Sequence, residues 1–312
     1  MTDEMWHLYA WCGLIEGTRT HDQRKLRVVS PQEHEELLRA HLLLRQLLDE
    51  SPYQGLVTAS ERFASSAGTL ERQWRTERPR SSLSVAEVER SFKGWLGAFR
   101  SFDDQTSHLI SQEFGGPESV PFRTFKTALA DQYDANFAYR LCCALRNVSE
   151  HAVSVLNRIR LISEEQEGGG VTSSVELTID GPALAASSDR MKSTMREELS
   201  RVTEPLVVPA IMHSAMDSCW RAFAAVLISV ESSIDRAASG LLALHQEAVA
   251  AGGLEAIIQS VVRAGEGEGR GTMEMQAVNI GRARLAQRAL VQAAETCARS
   301  ATVRVASDFT LK

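Results

Sequence analysis

The chain has 312 residues, of which 44% are apolar and 24% charged, a balance that excludes a wholly disordered chain and a collagen-like or low-complexity one. Its formal charge is −6, so no global basic field draws it to nucleic acid. Cys12, Cys142, Cys143, Cys219 and Cys297 are odd in number and form no Cys-x-x-Cys pair, which argues against a disulfide framework or a zinc ribbon. The N-terminus opens with acids and no apolar run reaches about 18 residues. Neither a signal peptide nor a membrane span is therefore expected, and the cytoplasm is the expected compartment.

Residues 1–30 read as a mixed segment with a short strand at Lys25–Val29. Ser30-Pro31 then starts a helix: serine caps, and proline suits a first turn whose N–H would be unpaired anyway. Leu37, Leu38, Leu44, Leu47 and Leu48 give that helix an apolar face. Ser51-Pro52 breaks it, and a second helix covers about 54–75. After a loop at 77–83, Ser84-x-x-Glu87 reads as a capping box. It opens a third helix whose stripe is Val88, Phe92, Trp95, Leu96, Phe99, Phe102, Leu109 and Ile110. Gly115-Gly116-Pro117 ends it.

A short helix at 121–130 leads into a long one over 131–162. Its apolar stripe runs from Tyr133 through Leu141, Leu145 and Val148 to Leu156 and Ile159. Residues 175–179 alternate like a strand. Helices are expected at 188–202, 209–238, 241–251 and 273–300, a mobile glycine-rich loop at 265–271, and a strand at 302–310. No internal repeat is evident. The expected fold class is all-α: a bundle (31–250) with long central helices and minor short strands, followed by a helical extension (251–312).

Common catalytic signatures are missing: there is no Gly-x-Ser-x-Gly elbow, phosphate loop or His-Glu-x-x-His pair. Charge is unevenly placed, however. Residues 120–160 carry six basic and three acidic side chains, so this segment is +3 and the remainder −9. Within it Arg146 precedes His151. RNA cleavage by its own 2′-hydroxyl needs a proton removed from that oxygen and one delivered to the leaving oxygen. A histidine with a pKa near 6.5 can do either, and an arginine can hold the charge that builds on the phosphoryl oxygens. The spacing alone is not specific, because Arg27 and His34 also form such a pair. That one straddles a helix start and reads as a chance match.

The stretch NFAYRLCCALRNVSEH (136–151) resembles the signature helix of the HEPN superfamily, which carries Arg-(x4–6)-His with a polar residue often following the arginine; Asn147 fills that place. FKGWLGAFRSFDDQTSHLISQEFG (92–115) is similar to the helix that precedes the motif in such proteins. The resemblance implies a HEPN-like bundle and a metal-independent ribonuclease without a cofactor. Many members act in toxin–antitoxin and phage-defence systems, as homodimers whose motifs meet and with an antitoxin as a further partner. Carried over, Arg146 would stabilise the scissile phosphate, His151 would be the general acid/base and Asn147 would orient the site. Family members can also be catalytically dead and structural.

Five steps along an ideal helix set Arg146 and His151 about 140° apart, so a two-fold pair of motif helices is the expected way to combine them. Asn136, Arg140, Asn147 and His151 form a polar strip on that helix. Arg100, Asp103, Asp104 and His108 are candidates for lining the same cleft. Asp104 and His108 also read as a solvated pair, and Arg146 with Glu150 as a surface one. The runner-up reading is a non-catalytic helical subunit of a defence or regulatory complex.

Overall fold

A computed structural model describes residues 6–14, 21–77, 82–149, 156–165, 171–187, 191–262 and 272–309. The described residues are mostly helical and form two small antiparallel sheets. The chain divides into two compact units, one built from both chain ends (1–50 with 227–312) and one from the middle (51–226).

The first unit opens with the hairpin β1 (Trp6–Leu14) and β2 (His21–Val29), followed by α1 (Pro31–Leu44) and a π-helical turn, Arg45–Asp49. It is completed by α9 (Glu231–Ala250), β6 (Glu255–Val262), β7 (Thr272–Ala277) and α10 (Ile280–Phe309). The four strands form one sheet in the order β2-β1-β6-β7. Along β1 the period of two buries Trp6, Leu8 and Ala10, while His7, Tyr9 and Trp11 are only half-buried. α9 packs against this sheet and against α1 and α10. Gly252 (φ +87°) ends α9, and the N–H of Gly253 turns back to the carbonyl of Ala248 at 2.9 Å. A Cβ on Gly253 would lie 2.7 Å from that of Ala10, so only glycine lets the helix end approach the strand. The chance Arg27/His34 pair is structural: Arg27 bonds Glu33 and Glu247, and His34 stacks on Trp6 at 3.7 Å.

The second unit contains α2 (Pro52–Glu77), α3 (Ser82–Phe114), α4 (Val120–Ala135) and α5 (Phe137–Ser149). The hairpin β3 (Arg158–Glu165) and β4 (Val171–Ile179) follows, then α6 (Gly181–Ser187), α7 (Ser193–Ser200), β5 (Leu206–Val207) and α8 (Val208–Ser229). The whole expected stripe of α3, from Val88 to Ile110, is buried. Phe92, Trp95 and Phe99 stack in sequence along it, and Phe102 meets Phe125, Tyr53 and Phe223. Burying an aromatic side chain contributes about 1.5–3 kcal/mol, so this ladder is the centre of the unit.

Several expectations are corrected. The long helix over 131–162 does not exist: it is interrupted at Asn136, α5 is described only to Ser149, and Arg158–Glu165 is a strand. Tyr133 is exposed rather than buried, as is Leu38 of α1. α3 starts at Ser82, ahead of the capping box. The helix expected over 188–202 begins only at Ser193, and α6 precedes it. The single helix at 209–238 is two, parted at Val230, and the second absorbs the one expected at 241–251. β1 and β6 are strands where none is expected. Thr272–Ala277 is a strand where a helix was expected, and the chain is helical to Phe309 where a strand was expected. The extension 251–312 is thus no appendage but half of the first unit. The glycine-rich loop at 265–271 lies outside the described residues.

The chain also repeats itself in a way its residues do not advertise. Three times among the described residues a β-hairpin runs directly into a helix: β1-β2-α1, β3-β4-α6 and β6-β7-α10. Each junction has the same cap, a side-chain oxygen accepting the N–H three residues on: Ser30 from Glu33, Asp180 from Ala183 and Asn279 from Arg282. Serine, aspartate and asparagine are interchangeable in that role, so the repeat survives without sequence identity. Among the described residues no helix is long and apolar enough to cross a membrane.

Candidate functional site

Asn136 sets the geometry of the motif helix. It is extended (φ −114°, ψ 111°), and its N–H closes α4 on the carbonyl of Gln132 at 2.9 Å. Its Oδ1 accepts from the N–H groups of Ala138 (2.9 Å) and Tyr139 (3.3 Å), starting α5. Its Nδ2 donates to Ser218 Oγ at 2.9 Å and Ser214 Oγ at 3.1 Å on α8. Arg140 completes the corner. Nη1 donates to the carbonyls of Tyr133 (3.0 Å) and Asp134 (2.8 Å), which the end of α4 leaves without helical partners. Nη2 pairs with Glu198 on α7 at 3.0 Å. Two residues of the expected polar strip thus join four helices.

From Tyr139 and Arg140 to Arg146 and Asn147, α5 faces a cleft of about 460 Å³ formed with α3, α4 and α7. Arg100, Arg140, Arg146 and Asn147 line it, as do Lys126, Lys192 and Asp103. The lining holds five cations and two carboxylates, Asp103 and Glu198, for a net +3. Asp103 is held between Lys126 Nζ (2.6 Å) and Arg100 (3.8 Å). Arg146 Nη1 donates to Asn147 Oδ1 at 3.1 Å, so the two neighbouring residues present a joined donor surface. Arg140 Nε is a buried donor with no partner among the described residues.

Burial pushes the Cys143 thiol, which also lines the cleft, up to about 11, with Arg100 only partly opposing. It is a thiol near neutral pH and a poor nucleophile. Burial raises the Tyr139 phenol as well, so it stays a proton donor. Among the described residues no group of three or more His, Cys, Asp and Glu could hold a metal ion.

The expected site residues therefore separate. Arg100, Arg140, Arg146 and Asn147 share the cleft, whereas Asn136 and Asp104 do not line it. Asp104 is exposed and pairs with Arg100 at 3.5 Å. His151 lies outside the described residues. The angle between Arg146 and His151, on which the expected pairing of two motif helices rests, falls outside them as well. Sequence reasoning missed Lys192 and Glu198. Neither is near the motif in sequence, and only the packing of α7 against α5 brings them to it. Lys126 was visible only as part of the local basic excess.

No protein-family model, curated protein or solved structure matches the chain.

Proposed function

We propose that the chain is a metal-independent endoribonuclease of HEPN type whose α3–α4–α5–α7 cleft seats a phosphodiester of RNA. The observation that supports this reading most is the set of five cations around one cleft of an otherwise acidic protein. A partly enclosed cationic lining strengthens attraction for a phosphate, while the negative body disfavours indiscriminate binding. Arg146 and Asn147 donate to the phosphoryl oxygens, and arginine stabilises the charge that develops as the 2′-oxygen attacks. His151, two residues past the last described residue of α5 in sequence, takes the 2′-hydroxyl proton or supplies one to the departing 5′-oxygen. The products carry 2′,3′-cyclic phosphate and 5′-hydroxyl ends. Bacterial defence or toxin–antitoxin growth arrest is the setting this activity suits, with an antitoxin as the restraining partner and the cytoplasm as the compartment.

His151→Ala tests the reading. Loss of an acid/base typically costs about 10²–10⁴-fold in rate, so the purified variant should lose cleavage with an unchanged circular-dichroism spectrum. Equal activity of variant and wild type would remove the assignment. The second reading, a non-catalytic helical subunit, is favoured by one observation: Asn136 and Arg140 are committed to joining helices. Absence of cleavage together with retained RNA binding by the wild type would select it.

A further inference from the structure

We propose that the outer edge of β3 is an association surface at which a second copy of this chain adds its own β3, antiparallel. This goes beyond the cleft reading and does not depend on it. The first argument is a template within the molecule. Two of the three hairpin–helix modules join in the first unit, through their first strands: β1 pairs β6 antiparallel from Trp6↔Ser260 to Trp11↔Glu255 without a register shift. The result is the order β2-β1-β6-β7, in which both first strands are interior. In the remaining module, β3-β4-α6, the corresponding first strand is the end strand of the order β3-β4-β5. No described strand pairs with its outer side.

The second argument is regularity. An unpaired strand edge is a row of backbone donors and acceptors that templates further pairing unless something blunts it. Bulges, prolines and shortness are the usual means. β3 pairs β4 over Arg158–Glu165 with no register shift and contains no proline. The other edges differ: the β1–β2 ladder carries two irregularities, and β7 and β5 span only 6 and 2 residues.

The third argument selects the occupant. The sequence of β3, RIRLISEE, is basic at its start and acidic at its end. Parallel pairing with a copy would set like charge beside like, whereas antiparallel pairing sets Arg158 and Arg160 of one strand beside Glu164 and Glu165 of the other. Two-fold symmetry about an axis normal to the sheet requires one residue to sit opposite its own copy. Centring the pair on Leu161 sets Arg158 opposite Glu164, and centring it on Ile162 sets Arg160 opposite Glu164. Either choice gives two reciprocal cross-strand pairs of opposite charge, the arrangement that favours a ladder. The strand is complementary to itself, as an isologous interface requires.

The test is sedimentation velocity of the full chain from about 1 to 100 µM, where a modest interface is set by mass action. Wild type should pass from monomer to dimer. Arg158→Glu with Arg160→Glu makes the strand wholly acidic, and Glu164→Arg with Glu165→Arg makes it wholly basic. Each variant alone should dimerise about tenfold more weakly or not at all, and an equimolar mixture should recover a heterodimer. A wild type that stays monomeric throughout, or reversed variants that dimerise like wild type, would overturn the proposal. Should either variant fold poorly, hydrogen exchange on wild type still decides. Backbone amides of 158–165 should gain protection as concentration rises, and concentration-independent exchange there overturns it. Because the readout is association, a negative result for cleavage leaves this inference standing, and the reverse holds too.

Discussion

The two ends of α5 began as one polar strip and have opposite employment. At the N-terminal end, Asn136 and Arg140 have their polar atoms committed to caps and cross-helix bonds, apart from Arg140 Nε, which has no partner among the described residues. At the C-terminal end, Arg146 and Asn147 border a cleft with Lys126, Lys192 and Arg100. Polar residues spaced along one helix are therefore not one site. Arg140 lines the cleft too, so bonding is what separates them: Asn136 and Arg140 are tied to helix ends and neighbouring helices, whereas Arg146 and Asn147 bond each other on the cleft wall.

The difference can be broken by substitution. Arg146→Ala should lower RNA cleavage about 10²–10³-fold, the scale of losing one charge-stabilising donor, with little change in unfolding midpoint. A large stability loss with normal cleavage would reverse the roles of the two ends. Asn136→Ala should do the opposite. It removes the α5 cap and the bonds that tie α5 to Ser214 and Ser218 of α8, a loss of about 2–3 kcal/mol by urea denaturation. Cleavage per folded molecule should persist.

The first unit gives a smaller effect. His41 is buried, and burial followed by the charge of Arg282 lowers its pKa from 6.5. The unfolded chain then binds the proton more readily than the folded one. Stability is fully present above the unfolded value of 6.5 and falls as pH drops toward the lower folded value. The slope contributed is at most about 1.4 kcal/mol per pH unit, and His41→Leu should flatten it between wild type and variant in chemical denaturation series. An unchanged slope would mean that other groups carry the acid sensitivity. At the low end of the scale, Asp104→Asn should change stability by no more than about 0.5 kcal/mol and leave cleavage intact, because Asp104 is exposed and its pair with Arg100 is long at 3.5 Å.

The sequence by itself determined the helical core of the second unit and little of the sheets. Every stripe residue of α3 is buried as the three-and-four spacing requires, because a long amphipathic pattern has one way to hide its apolar face. Ser30-Pro31 and Gly115-Gly116 mark helix ends as read, since capping and positive φ are local chemistry. The cationic character around Arg146 was legible as a local charge excess. Only tertiary structure decided that Asn136 interrupts the motif helix: its side chain gains serine partners 78 and 82 residues away, which no local pattern encodes. Likewise 158–165 and 272–277 are strands because partners complete their ladders, β4 for one and β6 for the other. Short apolar runs fit helix and strand equally until a neighbour supplies the hydrogen bonds. The triple hairpin–helix module stayed hidden for the same reason. What it conserves is backbone pairing and a cap position, and many residues satisfy both.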